Sequence, residues 1–224
     1  VPCDVRDPAA VSGLFASQKP DACVHLGGIA YVPAGASDPA MMFTVNTLGT
    51  INVLESVKKH APSCRLLTIS TSNVYGPPKN DTPLAEDSLL LPLSIYAISK
   101  AAADIATLSY AVNFKLDAMS ARPTNHTGPG QSDLFVVAGL ARQVKAIAVK
   151  KAEPLIEIGN LESERDLADA RDIVRAYRMI LEKGVAGEAY NITSHSRFTI
   201  KQILNMLMDI AGVKAEIRTD PARY

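Results

Sequence analysis

The chain has 224 residues, 47% of them hydrophobic and 21% charged, and 23 basic side chains balance 23 acidic ones. A zero net charge argues against a nucleic-acid partner, and neither a membrane-spanning apolar run nor a basic-then-apolar leader is present. Cys3, Cys23 and Cys64 are far apart, with no C-x-x-C pair. Metal-ligand spacing is therefore absent, and free thiols in a reducing, cytoplasmic setting are expected.

In chain order, short apolar runs alternate with longer helical stretches. Residues 1–4 read as the tail of a strand. Residues 22–26 read as a buried strand closing on Gly27-Gly28, and a long helix is expected over 38–60, where Met42, Val45, Leu48, Val53, Leu54 and Val57 recur at mostly three- and four-residue steps. Residues 65–70 form the next strand, apolar or small throughout as in a strand covered on both faces. A polar loop over 76–93 leads to a helix over 94–114 and a strand over 116–121, stopped by Arg122-Pro123. The turn-rich stretch 124–132 opens a second lobe. It continues with a helix near 134–151, a strand at 155–158, a helix at 170–183, a strand at 189–192, and a helix capped by Thr199 and ending at Gly212. This alternation predicts an α/β fold, a doubly wound parallel sheet with a smaller α/β lobe. The expected division is 1–124 and 125–224, with the 170–183 helix packing back on the first part.

Tyr96 and Lys100 stand four apart at the start of a predicted helix, so their side chains share one face. An ammonium beside a phenol favours phenolate and is expected to lower the tyrosine toward neutrality, where it can shuttle a proton. Ser70-Thr71-Ser72-Asn73-Val74-Tyr75-Gly76 places hydroxyls at the carboxyl end of a buried strand, where open α/β sheets bind their ligands.

The order His25-Leu26-Gly27-Gly28, Asn46-x-x-Gly49-Thr50, Ser70-Thr71-Ser72-x-x-Tyr75-Gly76, Tyr96-x-x-x-Lys100 and Arg122-Pro123-x-Asn125 resembles the extended short-chain dehydrogenase/reductase family, also described as NAD-dependent epimerases/dehydratases. Within it, residues 125–131, Gly159-Asn160-Leu161, Arg165-Asp166 and Asp220-Pro221-x-Arg223 are similar to the branch of GDP-mannose 4,6-dehydratases and GDP-4-keto-6-deoxymannose reductases. The resemblance implies a Rossmann-like fold, NAD or NADP as cofactor, a nucleotide-sugar substrate and a homodimer built on the 38–60 and 94–114 helices. It makes Thr71 or Ser72 the polarising hydroxyl, Tyr96 the acid/base, and Lys100 its partner and a holder of the nicotinamide ribose. Asp4 would face the adenine, Gly27 and Gly28 would line the cofactor crevice, and Asn46 would lie near it. Asn125 and Asn160 would grip the nucleotide-sugar, with Arg165 and Arg223 reaching its base or pyrophosphate.

Two departures carry information. No G-x-G-x-x-G occurs, although a 3-2-1-4-5-6 dinucleotide sheet carries that loop after its first strand. If residues 1–4 end the third strand, the sheet is incomplete at its N-terminal side with a gap in its middle. The glycine-rich start is then expected in a longer protein. The second departure is Asn73, which stands where the 4,6-dehydratases resembling this segment place a glutamate base; an amide cannot be that base. The favoured activity is NAD(P)-dependent reduction or epimerisation of a GDP- or other NDP-hexose. The alternatives are a UDP-sugar 4-epimerase and a truncated, inactive nucleotide-sugar-binding protein. Of the histidines, His25 reads as packed, His126 as loop-structuring, and His60 and His195 as surface residues. Arg165 has a bland alternative in a surface pair with Glu162 or Asp166.

Overall fold

Asp7 accepts the Ala9 and Ala10 amides ahead of Pro8, so the first segment coils into helix α1 (Pro8–Gln18). The computed structural model to which it belongs describes residues 1–78 and 82–220. Strand β1 (Ala22–His25) and a short helix α2 (Val32–Ser37) follow. Asp38 then caps α3 (Pro39–Phe43) through the Met41 amide at 2.9 Å, and a π-turn at Thr44–Leu48 joins it to α4 (Gly49–His60). Next come β2 (Arg65–Ile69), a 3-10 turn at Ser72–Tyr75, α5 (Ile95–Phe114) and β3 (Ala118–Pro123). The remainder runs β4 (Asn125–Thr127), α6 (Val136–Ala148), β5 (Leu155–Ile158), β6 (Glu164–Asp169), α7 (Ala170–Lys183), β7 (Ala189–Ile192), β8 (Arg197–Thr199), α8 (Ile200–Ala211) and β9 (Glu216–Thr219).

Two compact units result: Val1–Thr124 with Asp172–Ile192, and Asn125–Arg171 with Thr193–Tyr224. In the first, a continuous parallel sheet is ordered β1-β2-β3-β7. Side chains alternate across it. Leu66 and Ala118 face a cluster with Val11 and Phe15 of α1, Val53, Leu54 and Val57 of α4, and Ala111 of α5. Farther along that face the residues turn polar: Thr107 of α5 donates to Thr68 at 3.1 Å, and Asp104 of α5 meets Arg122. Met119, which points the other way, lies against Gly184 just beyond α7. Helices therefore cover both faces of this sheet, a Rossmann-like arrangement.

The second unit holds β4 and β8 on either side of β6, parallel and antiparallel to it, and a separate parallel pair β5–β9. Its core joins Leu140 and Val144 of α6, Ile156 and Ile158 of β5, and Ile200, Ile203 and Leu204 of α8. Thr199 and Gln202 cap α8 reciprocally, and Gly212 closes it at φ 64°.

Several elements differ from expectation. Residues 1–4 form no strand; Asp4 instead accepts from Arg6 and Asp7 in a local turn, so no gap opens in the sheet. The expected 38–60 helix widens into the π-turn because Asn46 turns its amide toward the Ile29 backbone. The strand stopped at 121 in the sequence runs to Pro123, whose missing amide does not prevent pairing with β7. His60 is not a plain surface residue, since its Nε2 is 2.8 Å from Ser12 Oγ and links α4 to α1. Helices α1 and α2 and strands β4, β6, β8 and β9 had no sequence signal strong enough to be expected.

Gly76 ends the 3-10 turn at φ 70°, ψ −167°, a region for glycine alone, and a Cβ there would collide with the Leu91 carbonyl oxygen. Gly76→Ala is expected to lower stability by about 3 kcal/mol, read as a reduced urea midpoint. His25 is buried and its Nε2 lies 3.1 Å from Thr50 Oγ1. Burial, aided by the Lys100 charge, lowers its pKa to about 4. The unfolded chain takes up this proton near 6.5 and the folded one does not. The stability tied to neutral His25, about 3 kcal/mol, is therefore present above pH 6.5 and lost as pH falls toward 4. His25→Gln should flatten that limb when urea midpoints are compared at neutral and mildly acidic pH.

Candidate active site

Strand β2 delivers its last residues to the site. Ser70 N still donates to Ala121 O at 2.7 Å, and the chain then turns at Thr71, whose hydroxyl accepts from Asn73 N at 3.3 Å. Ser94 Oγ accepts from Ala97 N at 3.1 Å and starts α5 immediately before Tyr96. Both Tyr96 and Lys100 are 9% exposed. Thr71 is the hydroxyl hydrogen-bonded to Tyr96, while Ser72 lies in the 3-10 turn.

The electrostatics depart from the simple expectation for a phenol near an ammonium. Burial pushes Tyr96 up from its ordinary value, opposed by the hydrogen bond from Thr71. Lys100 takes the opposite shift, brought down to about 8 by burial against the pull of Asp104. The expected lowering of Tyr96 is thus reversed, because removing the phenol from water costs the phenolate more than nearby polar groups return. Tyr177 of α7, missed in the sequence, is also buried; burial and the neighbouring Tyr96 push it up to about 12.

Gly27 and Gly28 follow β1 at the edge of this centre. A Cβ on Gly28 would come within 3.0 Å of Asn46 Oδ1 and 3.8 Å of Lys100 Nζ; one on Gly27 would meet Val5 at 3.0 Å and the His25 ring at 3.2 Å. Asn46 is fully buried. Its Oδ1 accepts from Ile29 N at 2.7 Å, and its Nδ2 donates to Ile29 O at 3.1 Å and to Ser99 Oγ at 3.0 Å. It therefore clamps the glycine loop to α5 rather than presenting its amide to a ligand. Asp4 is exposed and bidentate to Arg6, which holds its carboxyl down at about 2.

Asn73 lines a cavity of about 350 Å³ with Val32, Gly76, Pro77, Leu93, Ser94 and Ala97. One side of the loop that shapes it is anchored by Arg122, which donates to Tyr75 Oη at 2.7 Å and to Glu86 O at 2.8 Å. Tyr75 in turn donates to Asn191 Oδ1 at 2.8 Å.

The remaining expected residues lie in the second unit. Asn125 is exposed on β4, in register with Leu167. Asn160 Oδ1 accepts from Glu162 N at 2.9 Å. Arg165 is exposed on β6 and donates to Ser163 Oγ and Glu164 O rather than to Glu162 or Asp166. Asp166 instead accepts from Thr193 and Ser194. Arg223 lies outside the described residues. Among the described residues no cluster of His, Cys, Asp and Glu has metal-ligand geometry, and no helix is long and apolar enough to cross a membrane.

The family described as GDP-mannose 4,6 dehydratase matches residues 1–222. The GDP-6-deoxy-D-mannose reductase of Pseudomonas aeruginosa is 37% identical over 98% of this chain and 72% of its own length. The GDP-6-deoxy-D-talose 4-dehydrogenase of Aggregatibacter actinomycetemcomitans is 30% identical over 96% of this chain and 70% of its own length. A solved structure of RMD from P. aeruginosa, complexed with NADPH, superposes with a TM-score of 0.93 at 36% identity, over 98% of this chain and 74% of that one. The ordered motifs, the parallel sheet and the Tyr96–Lys100 helix agree with these matches, and the chain belongs to the GDP-mannose 4,6 dehydratase family, within the extended short-chain dehydrogenases/reductases.

Proposed function

We propose that this protein is an NAD(P)-dependent enzyme that reduces or epimerises a nucleotide-activated hexose, with a GDP-sugar favoured. The observation that carries this reading is the grouping of Thr71, Tyr96 and Lys100 beside a cavity in which Asn73 is an amide. Relatives named for GDP-6-deoxy sugars support the substrate class.

Thr71 hydrogen-bonds the sugar oxygen, and Tyr96 moves the proton on or off that oxygen while Lys100 holds positive charge beside it. Asn73 cannot abstract a carbon-bound proton, which disfavours 4,6-dehydration and leaves exchange at a keto carbon. The residues around Lys100 fit a nicotinamide dinucleotide. Gly28 brings bare backbone next to Lys100 Nζ, and among the described residues Lys100 makes no ion pair. Lys100 would hold the nicotinamide ribose and Gly27 and Gly28 would line its crevice, with Asp4 toward the adenine. When bound, the nicotinamide supplies or accepts the hydride. The first unit is thus the dinucleotide-binding and catalytic part. The second is mainly the substrate-binding part, where Asn125, Asn160, Arg165 and Arg223 would meet the nucleotide-sugar; guanidinium forks suit its diphosphate. Free thiols at Cys3, Cys23 and Cys64 support a reducing, cytoplasmic setting. Ile98, Ile105 and Val112 make an exposed stripe at seven-residue spacing on α5 that supports a homodimer.

Purified protein should oxidise NADPH or NADH when given a GDP-4-keto-6-deoxyhexose. Nucleotide-sugar binding without any turnover would instead favour an inactive binding protein, and interconversion of UDP-hexoses with retained NAD would favour the 4-epimerase. Tyr96→Phe should cut kcat by about 10²- to 10⁴-fold with little change in nucleotide-sugar binding by calorimetry. Ile105→Asp should convert the dimer to monomer in light scattering.

A further inference from the structure

Asp104 is fully buried one helical turn beyond Lys100. Its Oδ2 accepts from Arg122 Nε at 2.9 Å and lies 2.7 Å from Arg122 Nη2 in an ion pair. Arginine–carboxylate pairs frequently use both oxygens in a parallel fork. Here both contacts fall on one oxygen, and Oδ1 is buried without a hydrogen-bond partner among the described residues.

We propose that Asp104 is a positioning residue for Lys100, the buried anion one helical turn away that keeps this ammonium charged on the face it shares with Tyr96. The inference rests on the assignment of Lys100 as the partner of Tyr96. Moving an ammonium out of water favours its neutral form, and the surroundings of Lys100 offer little else to oppose that. His25, across the glycine loop, is neutral above its pKa of about 4 and feels the lysine charge. On α5 itself Tyr96 is a neutral phenol, and Tyr177, from α7, faces Tyr96 as a second one. Thr71 and Asn46 are uncharged. Arg122, from β3, has the wrong sign and meets Asp104. Among the described residues Asp104 alone pulls the lysine toward its charged form, and Lys100 still falls to about 8. Arg122 then has a second role. It makes an otherwise prohibitive lone carboxylate tolerable, while leaving Oδ1 to act along the helix.

The test follows the Lys100 side chain directly, by its 13Cε shift against pH in lysine-labelled full chain. Asp104→Asn is expected to lower the Lys100 titration by about one unit or more, while Arg122→Lys, which keeps the carboxylate and its counter-charge, leaves it unchanged. If Asp104→Asn does not fold because Arg122 is left unpaired, the double variant D104N/R122M, with no buried charge unmatched, decides instead and should show the same lowering. An unchanged titration in whichever of these folds overturns the proposal. So does an equal lowering in Arg122→Lys, which would trace the effect to the packing of the pair. Turnover of a GDP-4-keto-sugar by the unmodified protein is scored separately, so failure of the reaction assignment is distinguishable from failure of this one.

Discussion

Helix α5 sets Tyr96, Lys100 and Asp104 in successive turns along a face closed to water, so each polar group there has to be met from inside the protein. The rest of the first unit is arranged around that requirement. Thr71 comes off the end of β2 to meet the phenol, and Arg122 comes off β3 to meet the carboxylate. Thr107 reaches Thr68 where the same face turns from apolar to polar. An aliphatic seam would pack as densely, but it could not keep a buried lysine charged at neutral pH.

A second clamp acts from the other side. The π-turn before α4 costs one regular helical hydrogen-bonding pattern and frees Asn46 to bond the Ile29 amide, the Ile29 carbonyl and Ser99 at once. Thr47 adds a bond to Ser99 O at 2.9 Å. Glycine loop, π-turn and helix α5 are thereby joined through a few short polar contacts. Such contacts are directional, so they fix rotation as well as distance, which a hydrophobic contact does not.

The loop that follows the hydroxyl strand is held just as specifically. Arg122, Tyr75, Asn191 and Glu86 form one chain of bonds; Asn191 N donates to Glu86 Oε1 at 2.8 Å. Arg122 and Tyr75, both members of the ordered motifs, thus shape the cavity wall from behind. Asn73 and Gly76 of that segment line the cavity itself, and the Asn73 amide cannot serve as a base there.

What the sequence by itself determined was local: the i, i+4 spacing of Tyr96 and Lys100, the Ser94 and Thr199 caps, the apolar runs of β1 and β2, and the helix–strand alternation that makes a parallel sheet. Each follows from residues near one another in the chain, and the family resemblance rests on the same ordered motifs. Tertiary structure decided the rest. Strands β4, β6, β8 and β9 are three to six residues long and exist only through distant ladder partners, so their own residues carry little signal. Asn46 could be placed near the site from its motif, but its burial and its bonds to residues 17 and 53 positions away could not. The shifts of Tyr96 and Lys100 were likewise beyond the sequence. Spacing says which groups are neighbours, but only the packed interior says how far each has been taken from water, and here desolvation outweighs the neighbouring charge.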